Sequence, residues 1–282
     1  MSAGERESHE APVRTIVITG ASDGIGAAAA RALHARGHRV IIVGRSPEKT
    51  RALAQELGVA SHVADFARLD EVRALADALG RDLPRIDVLA NNAGGIMGAA
   101  RTLTADGFER TLQVNHLAPF LLTNLLLPRL SHATVIQTSS VAARRFSRFD
   151  IDDLQGERRW DPASAYGNAK LANVLFTREL DRRFGPALSA VAFHPGVVAT
   201  GFAAGAGGPW ELLYHNPLAR RLFTTPEKGG SRVVWLAEGE PGVTWHRGGY
   251  YERNRPARTH RLADDPRLAR ELWDRSAAMV GL

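Results

Sequence analysis

Tyr166 and Lys170 stand four residues apart inside a stretch, Pro162–Phe184, whose pattern and proline start predict a helix. Residues at that spacing share one helical face. A tyrosine ordinarily titrates at about 10 and is a poor base at neutral pH. An ammonium beside it favours the phenolate and brings the phenol closer to a working acid–base catalyst. Such a pair can hand a proton to a carbonyl oxygen or take one from an alcohol. The lysine is informative for a second reason. The chain carries 36 basic residues, yet lysine occurs only at Lys49, Lys170 and Lys228. A compact, tunable ammonium stands at 170 in a chain that uses arginine almost everywhere else.

The elements that must position this pair alternate along the chain. Thr15–Thr19 is a short β-branched run, and an alanine-rich stretch over 27–36 reads as a helix. Further strands are expected at 39–43, 59–64, 86–91, 133–138 and 189–194, with a short one near 249–251. Helices are expected at 47–57, 69–79, 108–130, 162–184, 228–237 and 267–279. Alternation of this kind predicts a parallel sheet with helices on both faces, a doubly wound α/β fold. The strands are continuous apolar runs, as expected when both faces are covered. A single domain over 13–282 follows, with a disordered tail at 1–12. The Gly/Ala-rich stretch 199–209 reads as a mobile loop.

Between the first strand and the first helix lies Thr19-Gly20-Ala21-Ser22-Asp23-Gly24-Ile25-Gly26. Glycines there permit a tight turn and close backbone approach to a pyrophosphate, and the helix N-terminus offers free N–H groups to the anion. The spacing is GxxxGxG. A purely structural turn is the competing reading. The second strand ends in Gly44-Arg45, where sites for NAD usually carry an acid. Arg45 could instead grip a 2′-phosphate, which favours NADP with NAD still possible. It could also simply face water at a helix start. Asp23 pulls the other way, since a carboxylate near that phosphate would repel it.

Composition narrows the chemistry. The chain has 282 residues, no cysteine and no HExxH pair, so disulfides, thiolate zinc and a cysteine nucleophile are excluded. The net charge is +6, but the arginines are spread along the chain, and no basic cluster with interleaved aromatics suggests nucleic acid. No signal-like segment or membrane-length apolar run is visible, so a cytoplasmic protein with no membrane span is expected.

Taken together, the 19–26 turn, Asn91-Asn92-Ala93-Gly94, Asn115, Ser139-Ser140, Tyr166-Gly167-Asn168-Ala169-Lys170 and His194-Pro195-Gly196 resemble the short-chain dehydrogenase/reductase family in order and spacing. VNHLAPFLLTNLLLP and AYGNAKLAN are similar to its retinol-dehydrogenase-like branch. The resemblance implies a Rossmann fold and an NADP(H)-dependent oxidoreductase acting between a carbonyl and an alcohol, with catalytic residues Asn115, Ser140, Tyr166 and Lys170. It implies cofactor contacts from Gly20, Ser22, Asp23, Gly24, Ile25, Arg45, Asp65, Phe66, Asn92, Ala93 and Gly94, from Tyr166 and Lys170 themselves, and from Val198 and Thr200. Ser139 competes with Ser140 for the serine role, and Asp65 could instead cap a helix. Pro119 should kink the 108–130 helix, and a carbonyl freed near Asn115 could hold a relay water for Lys170. His194 reads as structural.

The gap from Ser140 to Tyr166 is wider than usual in the family. The insert resembles that of the retinol-dehydrogenase-like branch and could form a pocket rim or a subunit contact. Phe202, Trp210, Leu212, Leu213, Tyr214, Leu218 and Phe223 give the segment at about 200–225 the composition of a lid over an apolar substrate. A helix packed on the sheet is the alternative. A homodimer or homotetramer is what the family suggests. A dinucleotide-binding redox sensor without turnover is the other functional reading, and the intact four-residue set argues against it.

Overall fold

Apolar, β-branched runs set the sheet, and alternation of their side chains sets its two faces. The computed structural model describes residues 12–185, 187–196 and 224–282. Its strands are β1 Thr15–Thr19, β2 Arg39–Gly44, β3 Ser61–Val63, β4 Val88–Asn91, β5 Ala133–Thr138, β6 Leu188–His194, β7 Tyr250–Glu252 and β8 Arg255–Pro256. They form one sheet in the order β3-β2-β1-β4-β5-β6-β7-β8. Every pairing is parallel except the antiparallel β7–β8 hairpin. This is a Rossmann-like sheet with helices on both sides. Strand order reverses between β1 and β4, where such sheets open a crevice at their carboxyl ends.

Alternate residues of each strand feed two separate cores. Val17, Val43, Leu89 and Val135 pack with α3 (Leu69–Asp82), α5 (Ala118–Leu126) and α7 (Pro162–Phe184) on one face. Ile16, Ile18, Ile42, Ala90 and Ile136 pack with α1 (Gly24–His34) and α8 (Pro226–Glu238) on the other. The helix α2 (Pro47–Leu57) follows β2, and the C-terminal α9 (Pro266–Val280) lies beside α7.

The 108–130 region departs from the expected single kinked helix. A one-turn helix α4 (Arg110–Leu112) runs into a π-turn at Gln113–Leu117, and α5 begins with Pro119 in its first turn. Pro119 lacks an N–H, so the i→i−4 ladder cannot pass through it, and the chain takes up the slack by widening the preceding turn. Asn115 lies in that widened turn. The insert before α7 folds onto its own chain. It forms the short α6 (Ala142–Arg145) and a 3₁₀ turn at Ile151–Asp153. Arg275 of α9 donates to Ile151 O at 2.9 Å and to Asp152 Oδ1 at 2.6 Å. Val198, Thr200 and the 200–225 segment as far as residue 223 lie outside the described residues, as does the 1–12 tail apart from Pro12.

Candidate active site

Four elements bring the sequence candidates to the carboxyl ends of β4 and β5. Tyr166 and Lys170 lie one turn apart on α7, 5% and 2% exposed, with Lys170 Nζ 5.4 Å from the centre of the Tyr166 ring. Nζ donates to the carbonyl of Thr138, the last residue of β5, at 3.1 Å. Burial pushes the lysine pKa down from its ordinary value to about 7. Near neutral pH the ammonium is therefore poised between charged and neutral, and its support for a phenolate fades as pH rises.

That burial has a consequence for stability. Below pH 7 the lysine is charged in both the folded and unfolded chain, and the cost of burying it stands in full. Between about 7 and about 10.5 the unfolded chain binds the extra proton, so stability rises with pH. Lys170→Met removes the buried charge. It should melt above the wild type, by roughly 5 °C at about pH 6, with the gap narrowing toward about pH 10. Equal gaps at both pH values would show that the lysine is not buried as a charge.

Ser139 and Ser140 part ways at the end of β5. Ser139 is buried, and its Oγ donates to the Lys170 carbonyl at 2.7 Å. Ser140 is half-buried, and its Oγ accepts from Ala142 N at 3.1 Å, so its hydroxyl proton is left for another partner. The wide gap to Tyr166 does not prevent the meeting of α7 and β5.

Asn115 is completely buried in the π-turn. Its Nδ2 donates to Gly95 O and Thr111 O, both at 2.9 Å, and its Oδ1 accepts from Gly95 N at 3.0 Å. The side chain thus clamps the 94–95 loop. The main-chain carbonyl of Asn115, expected to be free for a water, accepts from Asn173 Nδ2 at 3.0 Å. Asn173 is a residue the sequence reading missed. Its spacing from Lys170, three along the same helix, was the available signal.

The glycine turn is cut to the backbone. A Cβ on Gly20 would come within 2.7 Å of Ala93 Cα, and one on Gly26 within 2.4 Å of Gly20 O. Asn92 Nδ2 donates to Thr19 O at 3.0 Å and Gly20 O at 3.2 Å, while Thr19 Oγ1 accepts from the N–H groups of Asn92 and Ala93. The Asn92 amide nitrogen is therefore spent on tying the turn to β4. Phe66 similarly sends its ring into the core, 5% exposed. Asp65 Oδ1 accepts from Ala67 N, and the first N–H of α3 goes instead to Asp106, so Asp65 closes a turn and does not cap the helix.

Around the end of β2, a Cβ on Gly44 would meet Thr50 Oγ1 at 2.3 Å and Ser22 Cβ at 2.7 Å. An acid cannot occupy that position without moving both neighbours. Arg45 is exposed and has no acidic partner among the described residues. Asp23 caps α1 through Gly24 N at 2.7 Å and pairs with Lys49 Nζ at 2.6 Å. The lysine holds the Asp23 carboxyl below its ordinary pKa. Both partners are largely exposed, so the pair adds little stability. It does offset the negative charge that had weighed against a phosphate here. Lys49 was not singled out from sequence, because its neighbour in space lies 26 residues away.

His194, at the end of β6, is buried, and burial together with nearby arginines, Arg232 first, lowers its pKa to about 4. It is neutral at physiological pH. Among the described residues no group of three or more acidic or histidine side chains could hold a metal ion. No helix among them is long and apolar enough to cross a membrane.

A family model for short chain dehydrogenases matches residues 14–207. A protein of Streptomyces sp. (strain C5), provisionally named daunorubicin C-13 ketoreductase DnrU, is 44% identical over 96% of this chain and 93% of its own length. Human retinol dehydrogenase 13 is 35% identical over 96% of this chain and 86% of its own. Among solved structures, a protein of unassigned function from Mycobacterium paratuberculosis superposes with a TM-score of 0.77 at 34% identity, covering 95% of this chain and 93% of its own.

Proposed function

Since the chain belongs to the short-chain dehydrogenase family, in its retinol-dehydrogenase-like branch, and is thereby an oxidoreductase that uses a nicotinamide cofactor, we propose that it reduces a carbonyl on an apolar substrate with NADPH, or runs the reverse oxidation. The observation that carries this reading is the convergence of Tyr166, Lys170, Asn115 and Ser140 at the ends of β4 and β5.

The turn 19–26 and the 92–94 loop fit a dinucleotide, because the turn ends at the N-terminus of α1 and its glycines, Gly20 with a φ of 63° and Gly24 with a φ of 55°, add no side chain where the backbone would approach the phosphates. Gly20, Ser22, Gly24 and Ile25 would hold the pyrophosphate, with Asp23 held aside by Lys49. Asp65 and the main chain of Phe66 would meet the adenine, Asn92, Ala93 and Gly94 the adenosine and ribose side, and Val198 and Thr200 the nicotinamide amide. When bound, the dihydronicotinamide supplies hydride to the carbonyl carbon. The Tyr166 hydroxyl then gives its proton to the carbonyl oxygen, and Ser140 donates a hydrogen bond to that oxygen as negative charge develops. Lys170 steadies the tyrosine when it is left as phenolate. Asn115 holds the loop against which these groups close. The names of the relatives, a ketoreductase and retinol dehydrogenases, span the two directions of this one reaction. Apolar residues in the 202–223 stretch favour an apolar substrate.

NADPH oxidation against a panel of apolar ketones and aldehydes tests the activity. No turnover on any of them, with cofactor bound, would overturn it. Cofactor choice is tested at Arg45. A charge-assisted contact to a 2′-phosphate is worth about 1.5–3 kcal/mol, so Arg45→Ala should weaken NADPH binding roughly 10- to 100-fold and leave NADH binding unchanged. Tighter binding of NADH by the wild type would overturn the NADP preference.

A further inference from the structure

Behind the lysine lies a hydrogen-bonded string whose donors and acceptors can be assigned throughout. Asn173 is 2% exposed. Its Nδ2 donates to Asn115 O at 3.0 Å and to Thr138 O at 3.2 Å. Both acceptors are backbone carbonyls, so the amide can be oriented in only one way, and Oδ1 must be its acceptor end. His116 Nδ1 lies 3.3 Å from that Oδ1 and therefore carries the ring proton. His116 Nε2, at 2.9 Å from Ser276 Oγ of α9, is then the acceptor of the serine proton. Burial lowers the His116 pKa to about 4, so the ring is neutral and this tautomer is stable.

The string ends on the same carbonyl that holds the lysine. Thr138 O accepts from both Lys170 Nζ and Asn173 Nδ2. We propose that Asn173 is a positioning residue for the reaction: by sharing the Thr138 carbonyl with Lys170 and holding the Asn115 carbonyl, it sets both the place of the lysine and its hold on a proton. A carbonyl that serves two donors has less electron density for either. Hydrogen bonding to the charged form favours that form, so an amide competing for the acceptor loosens the lysine proton. The amide also occupies one of the two acceptor positions of the Asn115 carbonyl.

The groups that face Lys170 leave few rivals for this effect. Tyr166 comes from its own helix and His116, neutral, from the π-turn. The end of β5 contributes Thr138 and Ser139, and the loop after β4 contributes Gly94; none of these titrates. Among the described residues no carboxylate acts on the lysine, whose proton affinity is governed by burial.

The importance of this residue to catalysis rests on the function proposed above, but its test does not. The chain has three lysines, so Lys49→Arg with Lys228→Arg leaves Lys170 as the single lysine. With that background labelled with ¹³C at lysine Cε, the resonance titrates Lys170 alone in the intact protein. Asn173→Leu keeps the volume and removes both donors. It should raise the Lys170 midpoint by about half a pH unit or more. Thr177→Val is the packing control, because Thr177 is equally buried and bonds the Asn173 carbonyl without reaching Thr138. It should leave the midpoint in place. An unchanged midpoint in Asn173→Leu, or the same shift in Thr177→Val, would overturn the proposal. If Asn173→Leu does not fold, Asn173→Ser, which can donate to only one of the two carbonyls, is read by the same two outcomes. If the carbonyl panel shows no turnover, the titration still decides the role of Asn173. Where turnover is found, the pH profile of kcat should move with the midpoint.

Discussion

Tyr166→Phe is expected to lower turnover roughly 10³-fold while leaving NADPH binding and the melting temperature close to those of the wild type. The substitution removes one oxygen and nothing else. The residue is 5% exposed on α7. What is lost is the hydroxyl proposed to give its proton to the substrate oxygen, on a ring whose centre lies 5.4 Å from Lys170 Nζ. General acid–base catalysis by one positioned group contributes about 10²–10⁴-fold, and the loss should fall in kcat with KM little changed. The measurement is kcat on the best carbonyl of the panel, with cofactor affinity followed by NADPH fluorescence. Retention of more than about a tenth of the wild-type kcat would show that another group supplies the proton.

Gly94→Ala should be nearly as damaging, for a steric reason. Gly94 has a φ of 153°, a conformation that residues with a side chain rarely adopt. A Cβ there would lie 2.4 Å from Asn115 Oδ1 and 3.0 Å from Lys170 Nζ. Neither neighbour can step back. Asn115 is clamped by its bonds to Gly95 and Thr111, and Lys170 by its bond to Thr138. Relief must therefore come from displacing Asn115 and Lys170, two of the four proposed catalytic residues. Misplacement by about 1 Å can cost about 10²-fold in rate, and the strained backbone adds about 1–3 kcal/mol of instability. Gly98→Ala separates the two effects. Gly98 has a φ of 115° but nothing within 4 Å of where its Cβ would sit. It should lose stability and keep its rate. Equal losses of rate in the two variants would mean that backbone strain, and not the clash with Asn115 and Lys170, is responsible.

The elements that carry the site were visible in the chain because local rules govern them. The continuous apolar runs at 15–19, 39–43 and 133–138 became central strands, since only a sheet covered on both faces accommodates such runs. The four-residue spacing of Tyr166 and Lys170 placed them on one face of α7, because a helix repeats on that period. The region around Asn115 was only half legible. Proline at 119 announced a break, but whether the helix would kink or widen into a π-turn depends on what packs against it. Likewise β3 is shorter than expected, three residues where a strand over 59–64 was expected, because it pairs on one side alone.

Amino-acid order by itself determined the alternating sheet and helices, the glycine turn and the shared helical face of Tyr166 and Lys170, since each is written in spacings of a few residues. Tertiary structure alone decided which serine keeps a free proton, that Lys49 offsets Asp23 and that Asn173 shares a carbonyl with Lys170. Two of these depend on partners 26 and 35 residues apart, and the serine choice on one 31 residues away, brought within hydrogen-bonding distance only by the packing of helix on strand. No periodicity in the sequence encodes such meetings. The opening pair was legible, but the buried setting that draws Lys170 down to about 7 came only with the fold.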